Sequence, residues 1–205
     1  FRYASEPFFF KDEENKNSKE TLAKVMNYFN IMLMFIFLVI TLYLQLFKYF
    51  INNPDYWEGL KVVPILLGAN IFLGVYTSLS IWYKLSDKTI YGAYISGFGV
   101  IVTIAINFLL IPKYGYVASA YATLSCYSSM MLLSYLLGQK YYKVPYSLKK
   151  FFTYMGSGIL IYMLSIPTNP TQNLSILQYG YHTILLLSFI ILVLIIEKPF
   201  RASFK

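Results

Sequence analysis

The sequence has little charge and almost no cysteine. Only 13% of its 205 residues are charged, whereas 58% are hydrophobic and 20% are aromatic; an ordinary soluble domain carries about a quarter charged residues. The single cysteine, Cys126, excludes a disulfide within the chain and a metal site made only of cysteines. A small water-soluble core could not cover this much apolar surface, so the composition predicts an integral membrane protein.

The sequence also lacks the motifs of an enzyme. It contains no Gly-rich phosphate loop, no paired metal ligands and no nucleophile motif, and we therefore expect no catalytic site and no cofactor. The net charge of +8 would suggest nucleic acid in a soluble protein. Here the basic residues flank apolar segments, so we expect no nucleic-acid partner. The chain opens at Phe1 without a recognisable signal peptide, which predicts a fragment of a longer protein.

Six apolar segments follow the polar run Lys11–Glu20, and each is bounded by charge, proline or glycine. A bilayer core needs about 20 helical residues, which these lengths match. The sequence therefore predicts an all-α fold, a polytopic transmembrane helical bundle of about six spans. The spans are predicted at Tyr28–Phe47, Tyr56–Tyr83, Ile90–Ile111, Tyr116–Leu137, Phe151–Ile166 and Tyr179–Ile196, with Pro112, Gly138 and Pro167 ending the third, fourth and fifth.

The domain organisation follows from these spans. Residues 1–27 are predicted to be the end of a preceding span plus a cytoplasmic loop, and residues 28–138 to be four transmembrane helices. Residues 139–150 form a cytoplasmic loop, 151–196 two further helices and 197–205 a cytoplasmic tail. Of the 17 lysines and arginines, all but Lys48, Lys61 and Lys113 fall on one predicted side. Because basic residues concentrate in cytoplasmic loops, we expect both ends of this chain in the cytoplasm.

Small residues at helical spacing predict where the helices pack, because close backbone approach drives association in lipid. The fourth span carries three such pairs and the third span carries one set. They are Gly115 with Ser119, Ala118 with Ala122, Ser125 with Ser129, and Gly92 with Ser96 and Gly99. Cys126 and the single histidine, His182, are interpreted as packing residues rather than chemical groups.

Polar side chains within the spans are the candidate substrate-binding residues, because such groups usually face a bundle interior or a water-filled cavity. Glu58 and Lys61 share a helix face and could form an ion pair, close to Pro64, which can kink the helix. Lys61 could contact an anionic headgroup, or extend to the interface and pair with Glu58. Asn70 and Asn107 could bond another helix or a sugar hydroxyl.

The second to fourth spans carry a family resemblance. The segments YWEGLKVVPILL (Tyr56–Leu67), SIWYKLSDKTIYGAYIS (Ser80–Ser96) and NFLLIPKYGYVASAYATL (Asn107–Leu124) resemble the C-terminal half of bacterial polysaccharide biosynthesis proteins. These are oligosaccharide flippases of the multidrug/oligosaccharidyl-lipid/polysaccharide exporter superfamily. The opening FRYASEPFFF is similar to the end of an earlier span in that family.

The resemblance implies the C-terminal lobe of a MATE-like flippase fold in the bacterial inner membrane. The implied substrate is an undecaprenyl-diphosphate-linked oligosaccharide for O-antigen or capsule. The implied partners are that substrate, membrane lipids and an N-terminal lobe. One alternative is a cation-coupled multidrug exporter, which needs a carboxylate deep in a span, whereas Asp55, Glu58 and Glu197 lie near predicted span ends. A second alternative is a polysaccharide polymerase or ligase, which needs a large outer loop.

Overall fold

The computed structural model describes residues 18–166 and 176–197, and these residues form helices joined by short turns, without a strand. The predictions for FRYASEPFFF, most of the polar run after it, the segment beginning at Pro167 and the tail after Glu197 lie outside the described residues. The α-helices are α1 Ser18–Leu42, α2 Leu44–Lys48, α3 Val63–Leu79, α4 Ile81–Leu85, α5 Ile90–Tyr114, α6 Tyr116–Tyr141, α7 Leu148–Ser165 and α8 Ile176–Glu197, and a 3₁₀ helix covers Pro54–Val62.

The predicted all-helical fold is confirmed for these residues. Among the described residues, four helical segments are long and apolar enough to cross a membrane: α1, the run Tyr56–Leu85 that includes α3 and α4, α5 and α8. The predicted spans at α6 and α7 are helical but do not belong to this set. In α6, small and polar residues lower the mean hydropathy. The helix α7 has only 18 residues, and two lysines in its first turn lower its mean hydropathy.

The described residues divide into two compact units. The first unit contains residues 18–30 and Val62–Ser147, and α6 is its central helix, with α3 and α5 packed against it. One face of α6 is buried at every fourth residue, which is the spacing of a single helix face. These residues are Ala118, Ala122, Cys126, Met130, Ser134 and Gly138.

The small-residue predictions are confirmed only in part. Ala118 and Ala122 are fully buried, and a methyl group at Gly99 would overlap Met130, so close packing occurs there. Gly115 and Ser119 are exposed, and Ser119 lies between the buried residues Ala118 and Ala120. Ser96 is also exposed. Ile95 takes its place on the packed face of α5, one residue earlier than the regular spacing predicted.

Trp82 anchors α4 against α6. Its side chain is 1% exposed, and its indole N–H donates to Ser134 Oγ at 3.2 Å. A methyl group at Gly138 would lie 3.0 Å from Cδ1 of Trp82. Gly138 therefore does not end the helix as the sequence suggested. It is an interior position that admits the indole, and α6 continues to Tyr141.

Several helix ends differ from the predicted spans. The helix α1 begins at Ser18 rather than near Tyr28. Its first turns are polar, but they are held in place because Leu22 packs in a buried cluster with Ile81 and Val144. Pro112 lies inside α5, in its last turn, and the helix ends at Gly115. Gly115 has φ of 58°, a conformation that glycine adopts without the steric cost of a side chain.

The second unit contains Ile31–Lys61 with residues 148–166 and 176–197. Here the second half of α1 packs against α7: Phe37 meets the Tyr162 ring edge-on at 5.7 Å, and a methyl group at Gly158 would overlap the Met34 side chain. The helices α7 and α8 also pack against each other. Close approach at a glycine is the packing mode expected of membrane helices.

Candidate functional site

Glu58 and Lys61 lie on the 3₁₀ helix that precedes α3, and their side chains form the predicted ion pair. Lys61 Nζ is 3.5 Å from Glu58 Oε1, and the two side chains are 72% and 67% exposed. An exposed pair at this distance contributes about 0–1 kcal/mol. The contact therefore holds Lys61 only loosely, and its ammonium remains accessible to an anionic group.

Pro64 does not kink a continuous α-helix. The segment Pro54–Val62 is a 3₁₀ helix, and α3 begins at Val63, so Pro64 occupies the first turn of an α-helix. Proline fits there because the N–H it lacks has no partner within the helix anyway. The nine-residue 3₁₀ run is unusually long, and such runs often mark a strained or hinge segment.

Asn70 lies in the middle of the helical run Tyr56–Leu85, and its side chain is exposed. Its Nδ2 donates to the Leu66 carbonyl oxygen one turn earlier, at 2.9 Å. That bond stays within the helix, so the interhelical bond considered for Asn70 does not form through this amide nitrogen. The amide presents a polar group outward from an apolar helix, where hydrocarbon would be unfavourable.

Asn107 lies on α5 and has a buried amide oxygen with no hydrogen-bond partner among the described residues. Ser78 of α3 is 1% exposed, and its hydroxyl oxygen also has no partner there. A buried polar atom without a partner costs about 1–3 kcal/mol. Such atoms usually indicate that a water, a ligand or a further protein segment supplies the bond.

The four predicted residues do not form one cluster within a unit. Glu58 and Lys61 belong to the second unit, whereas Asn70 and Asn107 belong to the first. In the first unit, Gly68 lies beside Leu124, and Gly99 lies beside Cys126 and Met130. These contacts align α3 and α5 along α6. Measured along the α6 axis, Asn70 of α3 and Asn107 of α5 are therefore within about two helical turns of each other.

Two polar features escaped the sequence interpretation. Asn30 of α1 is 1% exposed, and neither of its amide atoms has a partner among the described residues. Its sequence signal is its position directly before the apolar run from Ile31 to Leu44. In the second unit, Glu197 Oε1 accepts from Lys150 Nζ at 2.8 Å and from the Tyr154 hydroxyl at 2.7 Å. Lys150 and Tyr154 are 47 and 43 positions from Glu197, so local spacing in the sequence did not predict these contacts.

His182 and Cys126 take the packing positions that the sequence predicted. The His182 ring is fully buried and meets the Tyr43 ring edge-on at 6.5 Å. The Tyr43 hydroxyl lies 2.7 Å from Thr183 Oγ1, which fixes the end of α1 against α8. Cys126 is buried on the packed face of α6, with its sulfur 3.7 Å from Met130 Sδ. In the described ranges no three His, Cys, Asp or Glu side chains are grouped as metal ligands.

These features define the class of protein: the residues that the structure describes are helical, four of their helices could cross a membrane, and polar side chains lie within those helices. No family model matches the chain, and neither does any curated protein or solved structure. The class therefore follows from the fold and the residues alone.

Proposed function

We propose that this chain is the C-terminal lobe of an inner-membrane flippase that moves a lipid-linked oligosaccharide to the outer leaflet for surface polysaccharide synthesis. The observation that carries the proposal is Asn70, an exposed amide in the middle of an apolar helix. A polar group at that depth is favourable when it faces a polar cavity or a further helix. A flippase of two lobes around a cavity supplies both.

The arrangement proposed for the membrane is six spans with both ends of the chain in the cytoplasm. The four apolar helices support four of these spans. For α6 a low hydropathy is compatible with spanning, because α3 and α5 cover it and it needs little lipid-facing surface. The sequence asymmetry of lysine and arginine supports the orientation.

The candidate substrate contacts have separate roles in this proposal. The exposed ammonium of Lys61 would attract the diphosphate or an acidic sugar, because Glu58 neutralises it only weakly. Asn70, and the amide oxygen of Asn107 that has no partner within the described part of the chain, would bond sugar hydroxyls along the path. Each group suits one part of such a substrate: the ammonium suits an anionic linkage, and the amides suit neutral sugars.

The alternative of a cation-coupled exporter is less well supported by the described residues. The Glu197 side chain is 16% exposed, which makes it a partly buried carboxylate. It is already engaged by Lys150 and Tyr154 at the end of α8. A carboxylate held by an ammonium and a phenol is poorly placed to bind and release a coupling cation.

The test is surface polymer in cells that carry the intact protein with Lys61→Ala as the sole change. We expect less polymer at an unchanged protein level. Lys113→Ala is the matched control, since Lys113 is exposed and belongs to the same predicted outer side. Equal polymer in the parent and Lys61→Ala would remove Lys61 from the path. A deletion strain with normal polymer but higher drug susceptibility would instead support an exporter.

A further inference from the structure

The end of the first unit at which α4, α5 and α6 meet is strongly basic. Among the described residues of that unit it carries six lysines and two carboxylates. They are Lys19, Lys24, Lys84, Lys88, Lys140 and Lys143, with Glu20 and Asp87. Lys113, the remaining lysine of the unit, lies at the other end of α5, about 35 Å away by helical rise.

Two of these lysines converge on one tyrosine. The ammonium groups of Lys88 and Lys140 lie 3.8 Å and 5.5 Å from the centre of the Tyr141 ring. Within the described ranges neither ammonium is paired with a carboxylate. Two positive charges therefore lie close together without a carboxylate partner in those ranges. Binding of an anion beside them would be electrostatically favourable.

Aromatic side chains hold this tyrosine in position. The Trp82 and Tyr141 rings are stacked with centroids 5.9 Å apart, and the Tyr91 hydroxyl donates to the Tyr141 hydroxyl at 2.9 Å. The bond from Tyr91, with the nearby ammonium groups of Lys140 and Lys88, holds the pKa of the Tyr141 phenol below its ordinary value. Trp82 is buried and bonded to Ser134, so the indole on which the Tyr141 ring stacks is itself held in place.

An apolar track leads away from this group along α5. Tyr94, Phe98 and Ile101 share one helix face and are 67%, 43% and 66% exposed. Tyr94 meets the Tyr91 ring edge-on at 6.2 Å, so the track begins at the basic group. A ligand that fits both parts has an anionic head and a long apolar tail.

We propose that Lys88, Lys140 and Tyr141 bind the phosphate of an anionic phospholipid in the adjacent leaflet, with an acyl chain along Tyr94, Phe98 and Ile101. Ammonium and phenol groups donate to phosphate oxygens, and tyrosine and tryptophan favour the headgroup level. The site requires only that the chain lies in a bilayer, and it is separate from the substrate path proposed above.

The experiment uses Trp82 as the reporter, in a Trp57→Phe background that leaves one tryptophan in the chain. The chain is reconstituted in phosphatidylcholine vesicles that contain a small fraction of either brominated phosphatidylglycerol or brominated phosphatidylcholine. Bromine quenches tryptophan at short range, so the ratio of the two quenching efficiencies reports lipid preference beside Trp82. We expect phosphatidylglycerol to quench more strongly.

The variants locate the preference. Lys88→Gln and Lys140→Gln should each lower the preference for phosphatidylglycerol about fivefold. Lys88→Arg keeps the positive charge and should retain this preference. Lys113→Gln removes the same charge at the opposite end of α5 and should leave the ratio unchanged. Circular dichroism confirms that each variant remains helical. Equal quenching by the two lipids in the parent, or an equal loss in Lys113→Gln, would overturn the proposal.

Discussion

The contact between Gly138 and Trp82 allows a quantitative prediction about what holds α4 against α6. A methyl group at Gly138 would lie 3.0 Å from Cδ1 of Trp82 and 3.3 Å from both Cγ and Nε1. The indole cannot move easily, because it is fully buried and bonded to Ser134. Gly138→Ala should therefore strain the contact rather than fill a gap.

Two effects of opposite sign set the magnitude. Replacing a helical glycine by alanine favours the helix by about 0.5–1 kcal/mol. Overpacking a well-filled contact costs about 1–3 kcal/mol. Gly97 in α5 provides the matched control, because a methyl group there meets no atom within 4 Å. The free energy of unfolding of Gly138→Ala should therefore be lower than that of Gly97→Ala by about 1–3 kcal/mol.

The assay is unfolding of the protein in mild detergent by added sodium dodecyl sulfate, followed by circular dichroism and tryptophan fluorescence. Gly97→Ala should equal or exceed the parent in stability, whereas Gly138→Ala should unfold at a lower denaturant fraction. If both variants unfold at the same point, Trp82 does not limit the approach of the helices. The packing account of the first unit would then be wrong.

Three further predictions concern other contacts. Lys150→Met should lower the free energy of unfolding by about 1.5–3 kcal/mol, because it removes the ammonium group that pairs with the partly buried Glu197 carboxylate. The double variant Lys150→Met with Glu197→Met should recover part of this loss in the same assay. Gly115→Ala should lower the free energy of unfolding by about 1–3 kcal/mol, because φ of 58° with ψ of −142° is a backbone conformation that only glycine adopts readily; an unchanged free energy of unfolding would contradict this. Tyr91→Phe should raise the pKa of the Tyr141 phenol, because it removes the hydrogen bond that favours the phenolate; NMR of ¹³C-labelled tyrosine measures it, and an unchanged pKa would contradict the bond.

The sequence predicted the longer helices well because most of them are long apolar segments. It did not predict where the helices end. Gly138 and Pro112 have the local chemistry of helix stops, yet tertiary packing at Trp82 and the position of Pro112 in the last turn let both helices continue. Ser18 begins α1 because Leu22 finds partners in Ile81 and Val144. Such long-range contacts leave no mark in the local pattern.

The candidate site divides in the same way. The Glu58–Lys61 pair is three residues apart, so helical spacing was enough to predict it. The Lys150–Glu197 contact joins distant segments and could not be predicted from spacing. Asn30 stood beside an apolar run and could have been selected by the same criterion as Asn70 and Asn107. Whether these amides contact substrate stays a prediction.

The central claim is that the chain crosses the membrane with its basic loops on one side. In a Cys126→Ala background, Lys113→Cys introduces a thiol in the last turn of α5, and Lys140→Cys introduces one in the last turn of α6. A membrane-impermeant maleimide is then added to intact cells. The account predicts labelling of Lys113→Cys in intact cells and of Lys140→Cys only after the membrane is permeabilised. Equal labelling of both in intact cells would contradict it.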